Sequence, residues 1–270
     1  MLTGRCQTSV MSDERLLPRS VLLSIWLEHL EVGAAQIEKA VHAVQGDDEP
    51  HEVLWPDGSS GSLGDLFGFW TASTRQVAAV LPVAGDLSGL AGPGRTNAAA
   101  VEAGEAVLFS TAAQTVAAVP EVIRFGSHIE PGHLVTWKVL PCHSWQTRFL
   151  GTIGSWRDAQ RELAAALNDA IERLMILDVA RWRDDLAVEV EALRGDAHLP
   201  DPLPRDLDGR RANLLATGWR IAGIADLGQS DDGGSVSGWE SDRRREALLR
   251  IESAARRAVC AATYQTPSLA

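Results

Sequence analysis

The chain reads as an α+β protein: an N-terminal helix over a small antiparallel sheet, followed by a mostly α-helical C-terminal half of three helices. Three observations lead there. Apolar residues recur near a 3.6-residue period from Leu22 to Val44. Short alternating segments bounded by Gly or Pro fill the middle. The helical period returns after Ser155 and persists toward the end. The chain has 270 residues, 45% apolar and 23% charged, enough to build a core of ordinary globular make-up.

The spacing of Leu22, Ile25, Trp26, Leu30, Gly33, Ile37, Val41 and Val44 predicts one helix over Arg19–Gln45, opened after Pro18 and closed by Gly46. Residues 46–61 read as a polar loop. Ser62-Leu63-Gly64-Asp65 carries the reciprocal capping pattern, and Leu63, Leu66, Phe67 and Trp70 place a short helix behind it. Strands are expected at Val77–Leu81, Glu105–Phe109, either Val116–Val119 or Val122–Phe125, and His133–Leu140, with a further one at Thr147–Ile153. In His133–Leu140, Val135, Trp137 and Val139 share one face while Thr136 and Lys138 take the other, as a strand with one wet face requires.

Ser155-Trp156-Arg157-Asp158 is a second capping box, opening a helical stripe that reaches Leu193. A straight helix of that length measures about 60 Å, so a bend is expected near Arg181–Asp185. Gly195–Asp206 reads as a loop. The next helix, Leu207–Leu227, carries Gly218, Ala222 and Ala225 on one side, where another helix can approach closely. Ser237–Glu240 caps a last helix with Ala247, Leu248, Ile251, Ala254, Ala255, Ala258 and Val259 on its buried face. The three helices are expected to run antiparallel. The division expected is a flexible tail over residues 1–18, an α+β part over 19–153 and a helical part over 154–270 around one shared core. Met11 offers a second start.

The net charge of −11 disfavours phosphate backbones and anionic lipid, so neither nucleic acid nor membrane is expected as a partner. Arg243, Arg244 and Arg245 are flanked by Glu240, Asp242 and Glu246 and read as a solvated helix face. Cys6, Cys142 and Cys260 are odd in number and widely spaced, which argues against a disulfide framework. No leader pattern and no run of eighteen apolar residues is seen, so a cytoplasmic location is expected.

Among candidate chemistries, His51-Glu52-Val53-Leu54-Trp55 begins like a zinc-protease helix and ends in Trp. The richest local feature is the Gly-rich loop before Val101. There Gly92, Gly94, Arg95, Thr96 and Asn97 are the candidate ligand-binding residues, with Thr96 or Asn97 capping a short helix. Glycines let backbone N–H groups approach a small anion, a helix N-terminus favours it, and Arg95 adds a forked donor. The plain alternative is a surface loop whose glycines serve turns. His128, His133, Cys142 and His143 are metal-ligand types, but His133 and Cys142 flank a strand that holds them more than about 20 Å apart. No metal and no cofactor is therefore expected. Asp178, beside an apolar stripe, is a candidate buried acid, either catalytic or paired and structural. Trp26, Trp70, Trp137 and Trp182 fall on predicted core faces. Trp55 and Trp145 fall in loops and either line an interface or close the core.

The strings Leu81–Gly94, Val101–Leu108, Leu177–Arg183 and Asp231–Ser237 resemble an uncharacterised family of actinobacterial proteins over most of residues 19–264. The resemblance implies a high-GC bacterial source and assigns no activity and no functional residue. The first reading of function is a non-enzymatic interaction or scaffolding protein, with a protein partner or as a homodimer through its helical half. The alternative is an enzyme or binding protein for a small anionic metabolite, using the Gly-rich loop at 89–97.

Overall fold

The computed structural model describes residues 17–30, 33–71, 75–127, 130–176, 203–230 and 238–265. The fold is α+β with a helical C-terminal half. Its strands are β1 (Glu52–Leu54), β2 (Ser60–Ser62), β3 (Arg75–Val80), β4 (Ala106–Thr111), β5 (Thr115–Gly126) and β6 (Pro131–Pro141). They form one sheet in the order β2-β1-β6-β5-β4-β3. Every pairing is antiparallel except β1 with β6, which is parallel. The helices are α1 (Arg19–His29), α2 (Ala34–Gln45), α3 (Leu63–Thr71), α4 (Gly94–Ala103), α5 (Gln146–Thr152), α6 (Trp156–Ile176), α7 (Gly209–Ser230) and α8 (Gly238–Ala262).

The single N-terminal helix expected over Arg19–Gln45 is two helices. Leu30 leaves α1 in extended backbone (φ −74°, ψ 120°), and Gly33 opens α2. The Arg75 guanidinium takes the carbonyls of Leu27 and Leu30 at 2.5 Å each, so a cation from the sheet satisfies the last turn of α1. The expected loop over 46–61 contains the β1–β2 hairpin, whose three-residue strands are too short to show a period. Val116–Val119 and Val122–Phe125 prove to be halves of one strand, β5. Pro120 is tolerated there because β4 pairs only with residues 115–118, so its missing N–H breaks no ladder. Thr147–Ile153 is helical rather than a strand: Phe149 and Ile153, four apart, are both buried, and Phe149 meets Trp145 and Tyr264 edge-on.

Both testable capping boxes form. Ser62 and Asp65 bond reciprocally, and so do Ser155 and Asp158. Ser237, the bend near Arg181–Asp185 and most of the 195–206 loop lie outside the described residues. In the helical half, Gly218 of α7 lies against Ala255, Ala258 and Val259 of α8, and Gly228 against Leu248, so these helices are antiparallel. Arg257 and Arg250 of α8 meet Glu162 and Asp169 of α6, which is antiparallel to α8 as well. α6 and α7 therefore run the same way, against the expectation of an all-antiparallel trio. Of the expected solvated basic face, Arg243 and Arg245 are exposed, but Arg244 is buried and its guanidinium donates to the Gly228 carbonyl at 3.0 Å.

The two halves share one core. The Ala79 N–H of edge strand β3 donates to Thr263 Oγ1 at 2.8 Å. Arg211 of α7 grips Glu28 of α1 with both prongs and donates to the Ala262 carbonyl that ends α8. Leu17, expected in the tail, is buried in this core. Trp26, Trp70 and Trp137 are buried as expected, and Trp70 stacks on Phe109 with ring centroids 4.0 Å apart. Among the described residues no helix is long and apolar enough to cross a membrane.

Candidate functional site

α4 begins at Gly94 behind Pro93, and no side chain caps it. Thr96 and Asn97, expected as caps, do other work. Thr96 is buried and its hydroxyl donates to the Pro141 carbonyl at 2.9 Å. Asn97 Oδ1 accepts the Gly92 N–H at 3.0 Å. Both are structural ties, one to the end of β6 and one closing the loop on itself. A Cβ on Gly92 would lie 2.7 Å from Thr96 Cβ, so Gly92 is there for close packing. Gly94 and Arg95 face solvent. Asp178 and His128 lie outside the described residues. His133 and Cys142 stand at opposite ends of β6, and among the described residues no group of three or more His, Cys, Asp or Glu side chains is placed to hold a metal ion. Burial pushes the Cys142 thiol up to about 11.

Sequence reasoning missed a buried polar network beneath the sheet. Asp48, in the turn after α2, accepts Arg19 Nε at 2.8 Å and Arg19 Nη2 at 3.0 Å. His51 Nε2 lies 2.9 Å from the same carboxylate, and Trp137 Nε1 donates to His51 Nδ1 at 3.1 Å. Indole N–H only donates, so His51 Nδ1 carries no proton, and its Nε2–H points at Asp48. Both ring nitrogens are committed and the side chain is fully buried, so His51 has no basic lone pair for a substrate. His133 Nδ1 approaches Asp48 from β6 at 3.4 Å. The network ties the start of α1, the α2–β1 turn and β6 together. Only the three-residue step from Asp48 to His51 was local enough to notice; Arg19 and Trp137 arrive through the fold.

A second cluster joins the halves. Asp86 receives Ser88, Ser253 and Arg256, and Arg256 also donates to the Leu81 carbonyl. Burial pushes the Asp86 carboxyl up, but the bonds from Ser88 and Ser253 and the Arg256 charge outweigh it, leaving the group below its ordinary value.

The feature most open to a partner is the outer half of the β5–β6 hairpin. Beyond Ala118, β5 keeps β6 on one side while no described residue pairs with its other side. Every residue from Glu121 to Ser127 is exposed. Cross-strand partners share a face, which joins Ile123 with Leu134 and Phe125 with Gly132. Ile123, Phe125 and Leu134 are 56%, 44% and 48% exposed. The Phe125 ring lies over Gly132, where a Cβ would meet it at 2.5 Å. Leu54 of β1, 37% exposed, lies across β6 opposite Lys138, which is paired with Glu121 at 2.7 Å. The two loop tryptophans differ. Trp145 is fully buried and closes the core, while Trp55 is half-buried, edge-on to the exposed Phe69.

Residues 20–149 match the family model described as the N-terminal domain of Rv1486c-like proteins. Residues 157–260 match the model of the C-terminal domain of the same proteins. No curated protein and no solved structure matches the chain.

Proposed function

We propose that this chain, in which regions matching both Rv1486c-like domains follow one another, is an interaction protein that receives an extended segment along the free side of β5. One observation carries the reading: an exposed stretch of strand, unpaired along one side among the described residues, edges an apolar face made by Ile123, Phe125 and Leu134. Natural sheets guard such edges with Lys, Pro or bulges. Here Pro120 guards only the start, and residues 122–127 contain neither Lys nor Pro. Added strands gain affinity from main-chain hydrogen bonds and selectivity from alternate side chains. The committed ring of His51 supports a structural role for the buried network.

A photo-crosslinking residue at Ile123, introduced in the cells that make the protein, tests the proposal. A discrete adduct that Val122→Pro abolishes is expected. Absence of any adduct would overturn it.

A second reading rests on α4. Its first-turn N–H groups have no side-chain cap, and Arg95 stands exposed beside them, an arrangement suited to a small phosphate or carboxylate. Phosphate-dependent thermal stabilisation that Arg95→Ala removes would support it; equal stabilisation of both proteins would refute it.

A further inference from the structure

We infer that the segment received by β5 is β5 of a second copy, paired antiparallel about a two-fold axis at Ile123. The inference rests on the strand-docking reading above and names its partner.

The hydrogen-bonding phase of β5 follows from its ends. Cys142 N–H donates to the Thr115 carbonyl, and Ser127 N–H to the Glu130 carbonyl. Odd-numbered residues of β5 thus bond to β6, and alternation turns the N–H and C=O groups of Val122, Arg124 and Gly126 to the free side. An antiparallel copy centred on Ile123 sets Val122 against the second copy's Arg124, and Arg124 against the second copy's Val122. Those are two pairs that exchange both hydrogen bonds. Ile123 then faces itself at the non-bonded position between them, where side chains lie closest. The same operation joins the Ile123–Phe125–Leu134 faces of both copies into one apolar surface. Among the described residues the start of β4, Ala106, aligns with Val119, and in this register the second copy's Gly126 (φ 86°), where its strand ends, falls opposite Pro120.

Charge marks where two copies can meet and selects the register. Each copy carries −11, so most faces of two copies repel. Residues 122–127 contain no acid and one cation, Arg124, making this stretch a place where two copies can approach. Centring the axis on Arg124 would set two guanidinium groups opposite one another, which is unfavourable; centring it on Ile123 separates them. Added salt screens the remaining repulsion, so this association strengthens with ionic strength, opposite to one built on salt bridges.

Sedimentation equilibrium of the full-length chain, in a Cys6→Ser background and at two salt concentrations, tests the inference. A dimer that tightens in high salt is expected. Ile123→Lys, which sets two ammonium groups face to face on the axis, should weaken it at least tenfold while the far-UV spectrum stays unchanged. Ile123→Cys should cross-link to itself under mild oxidation, because the facing Cα atoms are within disulfide reach, and Leu54→Cys should not. A monomer at every concentration, or a dimer indifferent to Ile123→Lys, overturns the inference. If the chain is monomeric yet the probe at Ile123 captures a different protein, strand docking stands and the second copy falls. If the probe captures nothing, both fall.

Discussion

Replacing Asp48 by Asn asks how much stability the buried network carries. The Asp48 side chain is 2% exposed and grips Arg19, itself 7% exposed, through both carboxylate oxygens. Asn preserves the shape but removes the charge, and its amide NH2 opposes an Arg19 N–H in either orientation, and the His51 Nε2–H as well in one of them. Stranding a buried charge in this way costs about 3–5 kcal/mol. In a chain of this size each kcal/mol moves the melting temperature by about 2–4 °C, so Asp48→Asn should melt roughly 6–20 °C lower. Circular dichroism melts measure the shift, and urea titration checks that the denaturant slope is unchanged. The double variant Arg19→Met, Asp48→Leu buries no charge and should recover part of the loss. The remainder, about 1–3 kcal/mol, belongs to the donor that His51 then leaves unsatisfied. An Asn variant melting within about 2 °C of the parent, less than a 1 kcal/mol effect, would refute the reasoning.

Three further outcomes are expected. Gly218→Leu drives a side chain into the α7–α8 contact, where a Cβ already lies 3.1 Å from the Ala255 carbonyl oxygen and 3.2 Å from Val259. It should cost about 1–3 kcal/mol in urea unfolding, and an unchanged midpoint would show that the helices separate freely. Asp86 titrates lower folded than unfolded, so its contribution is full above its unfolded value near about 4 and is lost as pH falls through the folded value. Asp86→Asn should therefore flatten the acid limb of the stability–pH profile below about pH 4, and identical limbs would contradict the assignment. Burial pushes the thiols of Cys142 and Cys260 up to about 11 and about 12. In a Cys6→Ser background the buried Cys260 should stay silent toward a thiol reagent at neutral pH until the chain unfolds, while the half-buried Cys142 should react only slowly; prompt reaction of Cys260 in the native state would argue against its burial.

Elements longer than two turns, or strands with clean alternation, were legible because the period was written several times over. The short helix after the Ser62 capping box, β6 with its buried Val135, Trp137 and Val139, and the buried face of the last helix all stand where periodicity placed them. Elements that depend on a distant partner were not legible. The end of α1 needed Arg75, and the β1–β2 hairpin needed β6. The loop at 89–97 was visible as glycine-rich, but the occupation of Thr96 and Asn97 by Pro141 and Gly92 was not. The Arg19–Asp48–His51–Trp137 network gave no local sign beyond one histidine three residues after an aspartate.

By itself the sequence determined the α+β class, the helical second half and the choice of apolar residues for the core, because burial is decided by periodicity and composition that each segment carries alone. Only the tertiary structure decided where the first helix breaks, that α6 and α7 run the same way, and which polar groups are buried together. It also decided that β5 runs eight residues beyond its pairing with β4, leaving an edge beside Ile123 and Phe125 that no described residue pairs with. These properties belong to pairs of segments far apart in the chain, and no window of residues contains both members.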